Sequence, residues 1–437
     1  MTTVSTAQGW LRGRPGEIHS FLGVPYAAAP EGPLRFASPA PPKPWEGERP
    51  AVEFGPAAPQ GPPAPGLPSL WQAADGLDCL RLNVWTPSPG AAGLPVLVWL
   101  HGGRWQVGTA GAPQYDGSAL AAAGVVVVTV NYRLGFEGFG HLPGFPDNRG
   151  LRDQAAALRW VRENVAAFGG DPDNVTVFGQ SAGAASAVLL MAEEGLFRRV
   201  IAQSIPAGYL SVAKAERTAS ALAEAAGVPL SSLSSLSPAE LVSLPLRVGS
   251  LGPVIDGDVV TGPPWTCAAP AVDLVCGFTH EEFRGFGMPA GDVSAAAAAF
   301  GVDPGGYAGA VDPFVELMSD AVVRVPTTRT AEAHAGAGGR TWLYDFVWGS
   351  SGHSVDVPFT FGVSAGRYAA RLLGSPPPAD FAPLSEALRA SWTSFAATGD
   401  PGWPRFEPGT RTTREWSATP RDVPYPVATY GLWAEVE

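Results

Sequence analysis

Ser181 lies between Gly179 and Gly183 in NVTVFGQSAGAAS, residues 174–186, and its hydroxyl is the group in this chain best set for chemistry. A serine attacks a carbonyl only when a general base takes its proton and a carboxylate orients that base. Six histidines are available as the base. His19, His101 and His141 precede the serine, His280 lies beside the candidate acids, and His334 falls inside a predicted helix. That leaves His353, in the Gly/Ser loop of VWGSSGHSVDVPFTFG, directly after an apolar run. Glu281 and Glu282 in VDLVCGFTHEEFRGF are the candidate acids, and position alone does not separate them. A serine, a histidine and a carboxylate acting together perform acyl transfer, which also requires N–H donors for the oxyanion. The N–H of Ala182, next after the nucleophile, is one source; the turn WLHGGRW is the other.

These residues need elements to hold them. LPVLVWLHG and GVVVVTVNY are continuous apolar runs bounded by glycine, the pattern of strands buried on both faces. Between them and the serine, GLRDQAAALRWVRENVAAFGG places Leu151, Ala155, Leu158, Val161, Val165 and Phe168 at helical spacing, and Gly169 and Gly170 end the helix. NVTVFG is the next strand, AGAASAVLLMA the next helix and RRVIAQS another strand; AVDLVCG and RTWLYDFVW are later strands, with helices near 215–226, 316–335 and 381–398. Such alternation predicts βαβ units, a mostly parallel sheet and an α/β fold. In that setting a strand, a G-x-S-x-G turn and a helix form a nucleophile elbow, with serine, acid and histidine following in that order along the chain.

Composition excludes other classes. Hydrophobic residues make up 46% of the 437, with 14 Trp and 20 Phe, so the chain can bury a large core. A net charge of −12 argues against nucleic acid or an anionic membrane surface as partner. No apolar run reaches the length of a membrane span, the start MTTVSTAQGWLRGRPGEIH lacks the features of a signal peptide, and three cysteines build no disulfide framework. The expectation is a cytoplasmic protein. Residues 39–70 are rich in Pro, Gly and Ala but carry Trp45 and Phe54, so they read as packed coil within one domain spanning 1–437.

GVPYAAAP, DCLRLNVWTP, PVLVWLHGGRW, VVTVNYRLG, GLRDQAAALRWVRENVAAFGGDPDNVTVFGQSAGAAS and GHSVDVPFTFG occur in the order found in type B carboxylesterases. The chain resembles that cholinesterase-like branch of the α/β-hydrolase fold, and most of all its bacterial para-nitrobenzyl esterases. The resemblance implies a triad of Ser181, His353 and Glu282, with Asp356 on the acidic position of the family's H-G-x-E. It implies oxyanion donors from the N–H groups of Gly103, Arg104 and Ala182, a small-molecule ester substrate, and no metal or cofactor. Amide, thioester or lactone hydrolysis on the same triad is the alternative chemistry; a non-catalytic binding protein of this family is a further one. Three departures stand out. Arg104 replaces the third glycine of the family's H-G-G-G, and Phe283 replaces the glycine after the acid, which leaves Glu281 and Glu282 both open. Pro59 stands where the usual partner of Cys79 would be, so the disulfide of secreted relatives cannot form. The stretches from Ser181 to the acid and on to His353 are short for the family, which implies a more open or a smaller pocket.

Overall fold

The apolar runs between glycines become the strands that carry the site. The structure, a computed structural model, describes residues 2–64, 66–267, 269–286 and 291–434. Two compact units divide it, one of residues 1–198 and 208–263 and the other of 199–207 and 264–437.

In the first unit the strands are β1 (His19–Pro25), β2 (Arg81–Thr86), β3 (Leu94–Leu100), β4 (Val126–Val130) and β5 (Gly170–Gln180). They pair in the order β5-β3-β4-β2-β1. The β5-β3 and β3-β4 pairs are parallel, and β2 runs antiparallel to both of its neighbours. Register sets Val96, Val98 and Leu100 of β3 opposite Val175, Val177 and Gly179 of β5, so both strands end beside the serine turn. Helices α1 (Arg149–Asn164), α2 (Ala182–Leu189) and α3 (Val212–Ala226) belong to this unit. The spacing read along α1 holds: Leu151, Ala155, Leu158 and Val161 are buried, and Gly169 at φ 89° stops the chain after a short 3₁₀ turn. A hairpin of Thr2–Thr6 and Gly9–Gly13 precedes the strands.

In the second unit β6 (Arg199–Gln203), β7 (Asp273–Thr279), β8 (Thr341–Phe346) and β9 (Thr413–Trp416) pair in parallel in that order, and β10 (Arg421–Val423) closes the edge antiparallel to β9. The helices expected near 316–335 and 381–398 are present, the first of them interrupted. It consists of α4 (Pro313–Ser319), a π turn over Asp320–Arg324 and α5 (Val325–Gly336). The break lies just before Pro326, which lacks the N–H that a continuous helix needs, and it holds buried charge. Arg324 pairs with Asp320 and Glu316, while Asp320 also accepts hydrogen bonds from Tyr307 and Thr429. Two further helices, α6 (Asp356–Phe361) and α7 (Phe381–Thr398), complete the unit.

Candidate active site

The serine turn is shaped by close backbone packing. Ser181 sits at φ 56° and ψ −122° between β5 and α2, a conformation that costs an L-residue roughly 1–3 kcal/mol. A Cβ on Gly183 would lie 1.9 Å from the Leu100 carbonyl oxygen at the end of β3, and one on Gly179 would lie 2.6 Å from the backbone of Gly183. Glycine is therefore required at both flanks. A serine at the start of a helix ordinarily caps it by accepting an N–H of the first turn. Ser181 makes no such bond. Its side chain is thus not engaged in the local structural role that would explain it away, and it sits at the positive end of the α2 dipole.

The neighbouring turn is equally tight. A Cβ on Gly102 would come within 3.2 Å of Ser181 Cβ, and one on Gly103, at φ 124°, would lie 1.9 Å from the Val107 carbonyl oxygen. Gly103 O accepts hydrogen bonds from the N–H groups of Gln106 and Val107, both at 3.0 Å. Buried Gln60 clasps the far end of the turn, taking the Gly108 N–H at 2.7 Å and donating to Gly108 O at 2.8 Å. Arg104 and Trp105 are both left-handed, at φ 57°, at roughly 1–2 kcal/mol each. Trp105 recovers this through burial and an indole N–H donated to Ser186 Oγ of α2 at 3.0 Å. Among the described residues the N–H groups of Gly103 and Arg104 have no acceptor. As the first residue of α2, Ala182 also has an N–H without an intrahelical partner.

In the second unit, Glu282 and His353 meet across 71 residues of sequence. Glu282 follows β7, is fully buried, and accepts a hydrogen bond from His353 Nδ1 at Oε2 and from the Thr279 N–H at Oε1, the latter at 2.9 Å. The His353 N–H donates to Glu282 O at 3.1 Å. Glu281 is turned away from the histidine and pairs with Arg284 at 2.8 Å, near the surface. The two glutamates that sequence position leaves open are thus separated by burial and partner. A Cβ on Gly285 would lie 2.1 Å from the His353 backbone nitrogen, so the acid and histidine loops touch through glycine.

Phe283, in the family's glycine position, is buried against Phe314 of α4 at 5.5 Å, and its N–H donates to Ser319 Oγ at 3.0 Å. Phe286 stacks face to face on the His353 ring, 4.5 Å between centroids and 17° between planes. The acid loop forms a 3₁₀ helix over Glu282–Phe286, and no motif in the sequence marks the contact. Behind the histidine, Asp356 is buried; its Oδ2 accepts from Gln203 Nε2 at 2.7 Å and from the Tyr344 hydroxyl at 3.2 Å. Burial above all pushes its carboxyl up to about 6; the hydrogen bond from Gln203 opposes the rise and the charge of Glu282 adds to it.

The other histidines have structural partners. Burial drives His101 down to about 4, and its ring stacks on Tyr132 at 4.6 Å. His334 bonds Thr341 and the Val272 carbonyl, His280 bonds Asp345 at 2.7 Å, His141 faces Asp147, and His19 faces Thr2. Cys79, Cys267 and Cys276 form no disulfide.

The solved structures with similar folds include a PNB esterase, TM-score 0.88 at 30% identity over 98% of each chain. A carboxylesterase of Geobacillus stearothermophilus matches with TM-score 0.87 at 32% identity over 99% of each chain. The fold is therefore that of the α/β-hydrolases. The family model described as "Carboxylesterase family" matches residues 1–299 and 301–430, and the chain belongs to that family. It is 34% identical over 460 aligned residues to the para-nitrobenzyl esterase of Bacillus subtilis, covering 94% of each. To a liver carboxylesterase of Sus scrofa it is 31% identical, covering 92% of this chain and 87% of the relative. The protein is a serine hydrolase of carboxylic esters. Among the described residues no helix is long and apolar enough to cross a membrane.

Proposed function

We propose that Ser181, His353 and Glu282 form the catalytic triad, that the N–H groups of Gly103, Arg104 and Ala182 form the oxyanion hole, and that the two units work as one hydrolase domain over residues 1–437. The observation that carries this reading is the bond from His353 Nδ1 to the fully buried Glu282 carboxylate, which fixes the imidazole tautomer and leaves Nε2 as the base. The family match, which runs through both units, supports the single domain.

In the reaction His353 takes the Ser181 proton as Oγ attacks the ester carbonyl. The three N–H groups hold the oxyanion, and the imidazolium, steadied by Glu282, returns the proton to the departing alcohol. Water then repeats the sequence on the acyl-enzyme. The chain's own groups suffice for every proton transfer. Three cysteines, Cys79, Cys267 and Cys276, with no disulfide among them suit a reducing cytoplasm, where we place the enzyme.

Hydrolysis of para-nitrophenyl esters of graded acyl length, with Ser181→Ala as control, tests the reading. Turnover that disappears in the variant while its thermal unfolding is unchanged supports Ser181 as nucleophile. Persistent turnover in the variant removes it from that role.

A further inference from the structure

The oxyanion turn carries two left-handed side-chain-bearing residues with different fates. The Trp105 side chain is buried, hydrogen-bonded to α2, and packed where a Cβ on Gly208 would come within 2.5 Å of its ring. Its contacts within the protein account for its presence. Arg104 is exposed, and among the described residues its guanidinium makes no ion pair and no hydrogen bond. Glycine would adopt φ 57° without strain. Among the described residues no contact of the guanidinium offsets the strain of carrying an arginine there. The side chain also starts from a residue whose own N–H lacks an acceptor among the described residues, two positions after Gly102, where a Cβ would come within 3.2 Å of Ser181 Cβ.

Resting on the triad reading above, we infer that Arg104 is a specificity residue for esters that carry a carboxylate on the acyl group, the half-esters of dicarboxylic acids. A guanidinium is permanently charged and matches a carboxylate with two parallel N–H donors. Its attachment to the oxyanion turn puts the guanidinium one side-chain length from the backbone N–H of the same residue, within reach of a group carried by a substrate held there. With a bound half-ester the ester carbonyl would sit on the N–H groups and the second carboxylate on the arginine. The reaction itself is unchanged: water adds, the alcohol leaves, and a dicarboxylate is released.

The test compares ethyl hydrogen succinate with ethyl butyrate, matched in length and differing in charge, by pH-stat. Wild type, Arg104→Gln, Arg104→Lys and Ser181→Ala are measured at low and at high salt. Every variant keeps the backbone N–H, so the quantity read is the ratio of kcat/KM for the two esters. The inference predicts that Arg104→Gln lowers this ratio at least tenfold, mainly through KM for the half-ester, and that Arg104→Lys recovers part of it. The wild-type ratio should fall as salt rises. Equal changes for both esters in Arg104→Gln would overturn the inference while leaving the esterase reading intact. Turnover of both esters by Ser181→Ala would instead remove the triad reading, and this inference with it.

Discussion

Glu281 and Glu282 are adjacent in sequence and opposite in circumstance. One pairs with Arg284 in partly exposed surroundings, and the other is buried, taking an N–H from Thr279 and one from His353. If Glu282 supports the imidazolium, Glu282→Gln keeps the shape, loses the charge and favours the wrong tautomer. Its kcat is expected to fall about 10³–10⁴-fold. Glu281→Gln, which removes a surface ion pair, is expected to stay within about threefold. Steady-state kinetics on one para-nitrophenyl ester settles the pair. The residues alone could not separate these glutamates, because burial is a property of the packed loop and not of a dipeptide. The stacking of Phe286 on His353 depends on a 3₁₀ turn that two adjacent charged residues do not announce.

Strand and helix positions were far more legible. Long apolar runs ending at glycine mark β3, β4 and β5, because strands covered on both faces need no alternation. The N-terminal hairpin is not legible in the sequence, since Thr2–Thr6 and Gly9–Gly13 are short and carry one apolar buried position each, Val4 and Leu11. The π turn over Asp320–Arg324 lies just before Pro326, which has no N–H to give the preceding turn, and the buried ion network gathered there draws on Tyr307 and Thr429, far away in the chain. The β3-turn-α2 contact was implied by the glycines themselves. Gly183→Ala would push a methyl to 1.9 Å from Leu100 O, where neither strand nor helix can yield cheaply. Calorimetry should show an unfolding midpoint lowered by several degrees together with lost turnover, whereas Ser181→Ala should lose turnover alone. Equal midpoints for the two variants would mean the elbow is less constrained than its geometry indicates.

For the whole molecule, two buried groups set opposing responses to acid. His101 is held neutral, with its value depressed to about 4, so the unfolded chain takes up its proton first. The stability it contributes is present above about pH 6.5 and lost as pH falls through 4. Asp356 is raised to about 6, so the folded chain takes up that proton first. Its burden is full above pH 6 and relieved as pH falls toward the ordinary carboxylate range. The two effects oppose each other between about pH 4 and 6. Asp356→Asn removes the second while its oxygen can still accept from Gln203 and Tyr344. Its unfolding midpoint should gain most on wild type near pH 7, and the gain should shrink by pH 4. A constant offset across that range would show that Asp356 does not change its protonation on unfolding.

The amides without acceptors at Gly103 and Arg104 also make the turn observable without any substrate turnover. A proton on a backbone nitrogen that bonds nothing in the protein is acutely sensitive to a new acceptor. In a nitrogen-15 spectrum, a slowly reversible boronate added to Ser181 would shift the signals of residues 103, 104 and 182 downfield together. The amides of Gln106 and Val107, already engaged by Gly103 O, would scarcely move. Three resonances would then report occupancy of the proposed oxyanion site residue by residue, with two as references.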